Sequence, residues 1–274
     1  MKTSLPALLV LLPAIASANQ RHYAYTYETA TLPMGAAEIE PWTTVRLMRE
    51  DYYVRFDHRL EFEVGLLDNF QAAFYLNWQE VSSLSTDDKG TSSIVGSSAF
   101  KGISLELKGK LLDPQADPIG LGLYFEIGGL TNELEIEAKV LLDKHFGDFG
   151  VALNAVYEAE FEAEVESGTD TELELHAHEI QVDLGFAYFI SPRWSVALEL
   201  VSRTELAKNE ADEFETEYSI LSLGPTVGYA GERFWITASI LPQLAALAGA
   251  TGDSLHHLED KERLELRLLM GFEI

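Results

Sequence analysis

Charged and apolar residues alternate one by one along most of this chain. Residues 133–140 read ELEIEAKV, residues 157–165 read YEAEFEAEV, and the pattern recurs through 57–64, 105–111 and 264–272. A period of two places successive side chains on opposite faces of a β-strand. Each such strand has one apolar and one charged face, so the fold must offer it an apolar medium on one side and a wet space on the other.

Several classes fall away at once. With 45 acidic against 19 basic residues the formal charge is -26, which argues against a nucleic-acid partner. A hydrophobic fraction of 47% is too high for a disordered acidic chain. There is no Cys, so disulfides, lipoprotein anchoring and thiolate metal sites are excluded. Lys2, the apolar run Leu5 to Ile15 and the small residues Ala16-Ser17-Ala18 read as a secretory signal over 1–18, with the mature chain expected to start at Asn19. That run is too short for a transmembrane helix, and no later stretch of about eighteen apolar residues exists. An outer-membrane barrel or a secreted soluble β protein remains. The second needs another sheet to cover its apolar faces.

The expected fold is all-β, a transmembrane antiparallel up-and-down barrel of about 12 strands, with about 10–14 admissible. It spans 36–274 behind a segment, 19–35, that either lies in the periplasm or folds into the lumen. The strands are expected at 36–48, 54–66, 70–81, 100–112, 119–128, 133–143, 149–163, 173–190, 194–205, 217–229, 234–244 and 261–273. Short turns follow the even strands, and longer polar loops, such as 82–99 and 245–260, follow most odd ones. This asymmetry fits turns in the periplasm and loops outside. Phe70, Phe146, Phe149, Tyr188, Phe189, Trp194, Tyr229, Phe234, Trp235 and Phe272 gather beside the short turns and suggest a headgroup-level girdle. Tyr52, Tyr53, Trp78 and Tyr218 are candidates for the other girdle. A change of phase near His178-Glu179 predicts a β-bulge.

The whole chain resembles bacterial outer-membrane β-barrel proteins of the porin-like kind. Its last strand, Arg263 to Ile274 with Phe272 near the end, resembles the terminal strand read by the barrel-assembly machinery, although Ile274 replaces the usual final aromatic. Tyr23-Ala24-Tyr25-Thr26-Tyr27-Glu28, with Thr31 to Gly35 and Glu38 to Trp42, looks like the opening of an uncharacterised family of predicted outer-membrane proteins. The resemblance implies outer-membrane lipid and the assembly machinery as partners, and names no activity.

Lipid excludes charge from one face, so the charged face points into the lumen. Glu61, Glu63, Glu106, Glu126, Glu133, Glu135, Glu137, Glu158, Glu160, Glu162, Glu174 and Glu199 are expected there, with Arg59, Lys108, Lys110, Lys139, Arg263 and Arg267 as the fewer basic partners. The functional reading is a porin-like channel that passes small cationic or neutral solutes or ions. The alternative is a lumen filled by paired charges and water, in a closed structural or surface-interaction barrel. Crowded carboxylates make divalent cations such as calcium or magnesium candidate ligands, although no cofactor is required. His176 and His178, with Glu174 two residues before, are candidate metal ligands set against an ordinary strand–loop role. A rim hydrolase is the weakest reading. Ser92, Ser93, Ser97, Ser98 and Ser254 are available as nucleophiles and His176, His178, His256 and His257 as bases in rim segments, but no nucleophile motif is present.

Overall fold

In the computed structural model the alternating segments become twelve antiparallel strands. Residues 20–274 are described, apart from 88, 131, 166–170 and 210–211, so the signal segment lies outside the described residues. The strands are β1 Ala37–Leu47, β2 Tyr53–Leu67, β3 Phe70–Thr86, β4 Ser92–Leu112, β5 Gly120–Leu130, β6 Glu133–Phe146, β7 Phe149–Val165, β8 Thr171–Ser191, β9 Trp194–Lys208, β10 Phe214–Ala230, β11 Phe234–Ala248 and β12 Leu264–Glu273. Each pairs with its neighbours in sequence, and β1 pairs with β12 to close the barrel. Closure leaves no sheet edge, so all strand backbone groups are met within one layer.

The barrel has its polarity inside out compared with a soluble protein. On β2, Glu61 and Glu63 are buried inward while Phe62 is 46% exposed. On β8, Asp183 is buried while Val182 and Leu184 are exposed. Among the described residues no second sheet covers this apolar exterior, which removes the soluble-sandwich alternative. An exposed apolar belt around a closed barrel calls for lipid.

The aromatics beside the turns divide. Phe149 packs on Tyr188 at 5.1 Å between ring centroids, and Trp194 on Tyr229 at 4.8 Å. Phe146, Trp194 and Phe272 are exposed. Trp235, however, is fully buried, and Phe189 packs against His22, so both point inward. Tyr218 also faces the lumen, donating to Glu179 and Glu205 at 3.0 and 2.7 Å. Ring chemistry alone cannot separate lipid-facing from lumen-facing positions, whereas strand phase can.

One expectation needs correction, and a second, the β8 bulge, shifts by two residues. The Ser-rich stretch 82–99 is mostly strand, because β3 runs to Thr86 and β4 starts at Ser92, paired as Leu84↔Ile94 and Ser82↔Gly96. Both of its faces are solvated, so it carries no apolar alternation to read. The bulge in β8 sits at His176, where Glu160 pairs with Ala177 and Phe161 with Leu175. A matching irregularity at Lys101 in β4 turns its ammonium toward Glu133, 3.1 Å away.

Candidate functional site: a charged cavity above a captured N-terminal segment

Residues 20–35 cross the interior at the end carrying the short turns. Tyr23, Tyr25 and Tyr27 alternate, yet residues 23–27 are buried on every side and form no strand. With the barrel closed, no edge is free to pair with them, so the wall's side chains must take their backbone groups. Glu199 on β9 accepts the amide protons of Ala24, Tyr25 and Thr26, each at 2.8 Å, and the Thr226 hydroxyl at 2.5 Å. Asn154 on β7 pairs both ways with Tyr27, accepting from its N–H at 2.6 Å and donating to its carbonyl at 2.9 Å. Gln71 on β3 accepts from Leu32, the Thr237 hydroxyl donates to the Arg21 carbonyl, and Arg267 donates to the Ala24 carbonyl.

Small residues on the wall make room. A Cβ on Gly185 would lie 2.5 Å from the Tyr23 ring, and one on Gly65 would collide with the Pro33 carbonyl. Gly122, in the glycine-rich β5, clears the Thr29 side chain. Trp235, Leu241, Val201 and Leu269 pack against Ala24 and Tyr25 to form the lumen's largest apolar cluster. Arg21 lies over the Tyr27 ring at 4.0 Å. Beside it Glu61, Glu63, Glu106 and Lys108 line a small space of about 30 Å³. Carboxylates of Glu38, Glu40 and Glu63, and of Glu61, Glu63 and Glu106, approach within 4.8 Å of one another.

Above the segment lies a cavity of about 610 Å³, with Tyr25 and Tyr27 among its lining. Glu126, Glu133, Glu135, Glu137, Glu158, Glu160, Glu162, Arg59, Lys139 and Arg267 line it, together with Arg46, Arg49, Arg55, Arg203, Glu179, Glu205, Glu262 and Glu265. The charges are not mixed evenly. Strand register places Glu106, Glu126, Glu137, Glu158, Glu179 and Glu205 opposite one another in turn on six consecutive strands, β4 to β9. Glu135↔Glu160 and Glu133↔Glu162 repeat the like-charge pairing across β6 and β7. On the other side, Arg46, Arg49, Arg55, Arg59 and Arg267 come from β1, β2, β12 and the loop after β1, almost diametrically opposite β7 in the strand order.

Most of these arginines are already engaged. Arg46 contacts Asp57 at 2.7 Å and Glu265 at 2.8 Å, Arg49 contacts Glu262 at 2.7 Å, Arg203 contacts Glu265 at 2.6 Å, and Arg59 contacts Glu126 at 3.2 Å. Lys139 holds Glu137 at 3.0 Å. Among the described residues Glu135, Glu158 and Glu160 form no ion pair, and all three line the cavity. Glu135↔Glu160 and Glu137↔Glu158 set carboxylates directly opposite each other on β6 and β7, an arrangement that is destabilising where both are ionised.

The remaining sequence candidates lie elsewhere. Lys110 pairs with Asp113 beside the β4–β5 turn, and Arg263 is exposed ahead of β12. Glu174 is half-exposed and contacts Lys208. His178 lies against Tyr157 and Phe214, and the bulge at His176 breaks the shared face expected with Glu174. Ser254 is 3.4 Å from His256, and His257 bonds Asp260 and the Gly249 carbonyl. That leaves no hydroxyl–imidazole–carboxylate relay among these residues. The sequence reading missed Arg49, Arg55, Glu262 and Glu265, and gave Glu199 no role at the N-terminal segment. Arg55, Glu199 and Glu265 were signalled by the inward phase of β2, β9 and β12, whereas Arg49 and Glu262 lie in loops, where no phase marks them.

A family model described as a family of unknown function, DUF6662, matches residues 15–274. No curated protein matches the sequence. Among solved structures, the COG4313 outer membrane channel from Pseudomonas putida F1 superimposes with a TM-score of 0.64 at 14% identity, over 92% of this chain and 100% of that one. The NanC porin superimposes with a TM-score of 0.54 at 10% identity, over 86% and 100%. The β domain of the Bordetella autotransporter BrkA gives 0.52 at 11% identity, over 88% and 100%. At these identities the likeness is one of fold, a closed antiparallel β-barrel.

Proposed function

The chain belongs to the DUF6662 family of unknown function, and from its lumen we propose that it is an outer-membrane channel for small solutes or ions, gated by its own N-terminal segment. The observation that carries this reading is the capture of that segment. Inward side chains from β3, β7, β9, β11 and β12 meet its backbone one group at a time. Residues 23–27 form no strand, so losing these bonds frees that stretch and opens the turn end of the lumen.

Once open, the barrel favours cations. Rings of Asp or Glu select cations in channels, and the row Glu106 to Glu205 forms half of such a ring. Arginines neutralise acids on the facing wall and leave the β6–β7 glutamates in excess. Export through the signal over 1–18 and insertion by the assembly machinery complete the proposal. The test is conductance of the full chain in planar bilayers, alone and with Glu199→Gln to release the segment. Rare openings that become frequent and cation-selective in the variant support the reading. Equal silence in both means a closed barrel whose cavity only binds.

A further inference from the structure

We propose that His22, Glu28, Asp143 and His145 form a transition-metal site of the zinc type that fastens the N-terminal segment to the barrel wall. His22 and Glu28 come from the segment, brought together by the fold of Tyr23 to Tyr27. His22 Nδ1 lies 2.9 Å from Glu28 Oε2, and its amide donates to the same oxygen at 3.2 Å. Asp143 and His145 are two apart on β6, so strand geometry puts both on its inner face. His145 Nε2 is 3.3 Å from Glu28 Oε1. Ligand atoms of Glu28, Asp143 and His145 all lie within 4.8 Å of one another.

A tetrahedral ion with bonds of about 2.0–2.2 Å holds its donors roughly 3.3–3.5 Å apart. The His145–Glu28 spacing already meets that, Asp143 lies within 4.8 Å of both, and His22 joins them through Glu28 at 2.9 Å. Two imidazoles with two carboxylates and no thiolate suit zinc over calcium or magnesium, which prefer oxygen alone. The surroundings orient the donors as outer partners of a metal do. The Thr29 hydroxyl donates to Asp143 Oδ1 at 2.7 Å, and the absence of a side chain at Gly120 leaves that carboxylate its place. The Phe189 ring packs on both imidazoles, with centroids 4.8 and 5.2 Å away. No other group of three or more donors that includes a His occurs at such spacing among the described residues; the two others are carboxylates alone.

The fastening role rests on the gated-channel reading, whereas the site itself does not. The full chain, refolded without a histidine tag, is stripped by chelator and titrated with Zn²⁺ by calorimetry, then with Co²⁺ by visible absorption. A single site with the d–d bands of low-symmetry Co²⁺ is expected, weakened about 10–100-fold or more by His145→Ala or His22→Ala and unchanged by His176→Ala. Binding that survives both substitutions, or no saturable binding to the unsubstituted chain, overturns the site, and the cluster is then only an ion pair between Glu28 and two histidines. The Co²⁺ spectrum of the unsubstituted chain decides the matter even where a variant fails to fold. If Zn²⁺ binds as expected but leaves the segment's solvent access and the conductance unchanged, the site stands and the gate fails.

Discussion

Replacing Glu199 by Gln should free the N-terminal segment while leaving the barrel closed. The carboxylate accepts three backbone amides and one hydroxyl in a site with no exposure. Gln keeps the shape but offers one acceptor oxygen and a donating amide. If the new amide faces Ala24 and Thr226, the hydroxyl turns to accept, but the Ala24 N–H loses its partner. That orphaned donor costs about 1–3 kcal/mol, and the two amide bonds that remain lose charge assistance worth roughly 1 kcal/mol each. Removing a buried charge works the other way, since its desolvation is relieved. Four donors already compensate that charge here, so the lost acceptors win. A net cost of about 3 kcal/mol raises the population of the released segment on the order of 100-fold.

The natural absence of Cys gives a clean reporter. Thr26 is 1% exposed and its hydroxyl has no partner, so Thr26→Cys changes little and sits within the captured backbone. With opening and closing fast, the rate of modification by a membrane-impermeant maleimide follows the released population. Thr26→Cys alone should label slowly, and Thr26→Cys with Glu199→Gln about 100-fold faster, with heat-modifiable gel mobility confirming an intact barrel in both. Equal labelling rates on intact barrels would refute the claim that Glu199 holds the segment.

Gly185→Val should force Tyr23 from its place, since a Cβ there lies 2.5 Å from the ring; an overpacking cost of about 1–3 kcal/mol should speed labelling of the Thr26→Cys reporter in the same assay. Glu158→Gln with Glu160→Gln should move the reversal potential of the released channel toward zero under a salt gradient, while Glu174→Gln, at the exposed end of β8, should not. Val182→Arg, on the apolar exterior, should cost about 2–4 kcal/mol if mid-membrane and lower the denaturant midpoint of folding into vesicles. The segment of the metal-free chain should also loosen in acid. Burial alone would raise the Glu28 carboxyl, but the His22 and His145 rings outweigh it and hold the group well below the usual carboxylate range. A depressed folded value contributes stability above the unfolded value of about 4.5, and that stability is lost as pH falls below it. Labelling of the Thr26→Cys reporter, followed in chelator from about pH 6 to about pH 3, should therefore accelerate on the acid side once corrected for the reagent's own pH dependence.

The facing of the strands was legible because two media impose it. Phe62 and Glu61 are adjacent in sequence, yet one is 46% exposed and the other buried, which the alternation with lipid on one side requires. Where both media are water the signal disappears, and so 82–99 looks like a loop although it is a hairpin end. Register is a different kind of information. Nothing within β6 says that Glu137 stands opposite Glu126 and Glu158. Turn lengths and bulges set that alignment, and they act between strands. Sequence therefore yields a lumen richer in acids than in bases, while only the assembled barrel yields a row of acids facing a wall of arginines.

The N-terminal segment shows the same limit from the other side. Its alternating tyrosines suggest a strand, but a closed barrel has no edge to pair with one, so the segment's backbone must be met by side chains. The wall's sequence holds the clue. Gly65, Gly122, Gly150 and Gly185 lie at inward positions of β2, β5, β7 and β8, where a channel lined only by water would gain nothing from giving up a side chain. Asn154 and Gln71, neutral acceptors among charged neighbours, suit an amide backbone better than an ion. Glycine and carboxamide at inward phase mark where a wall is built for chain, and glutamate in register marks where it is left to ions.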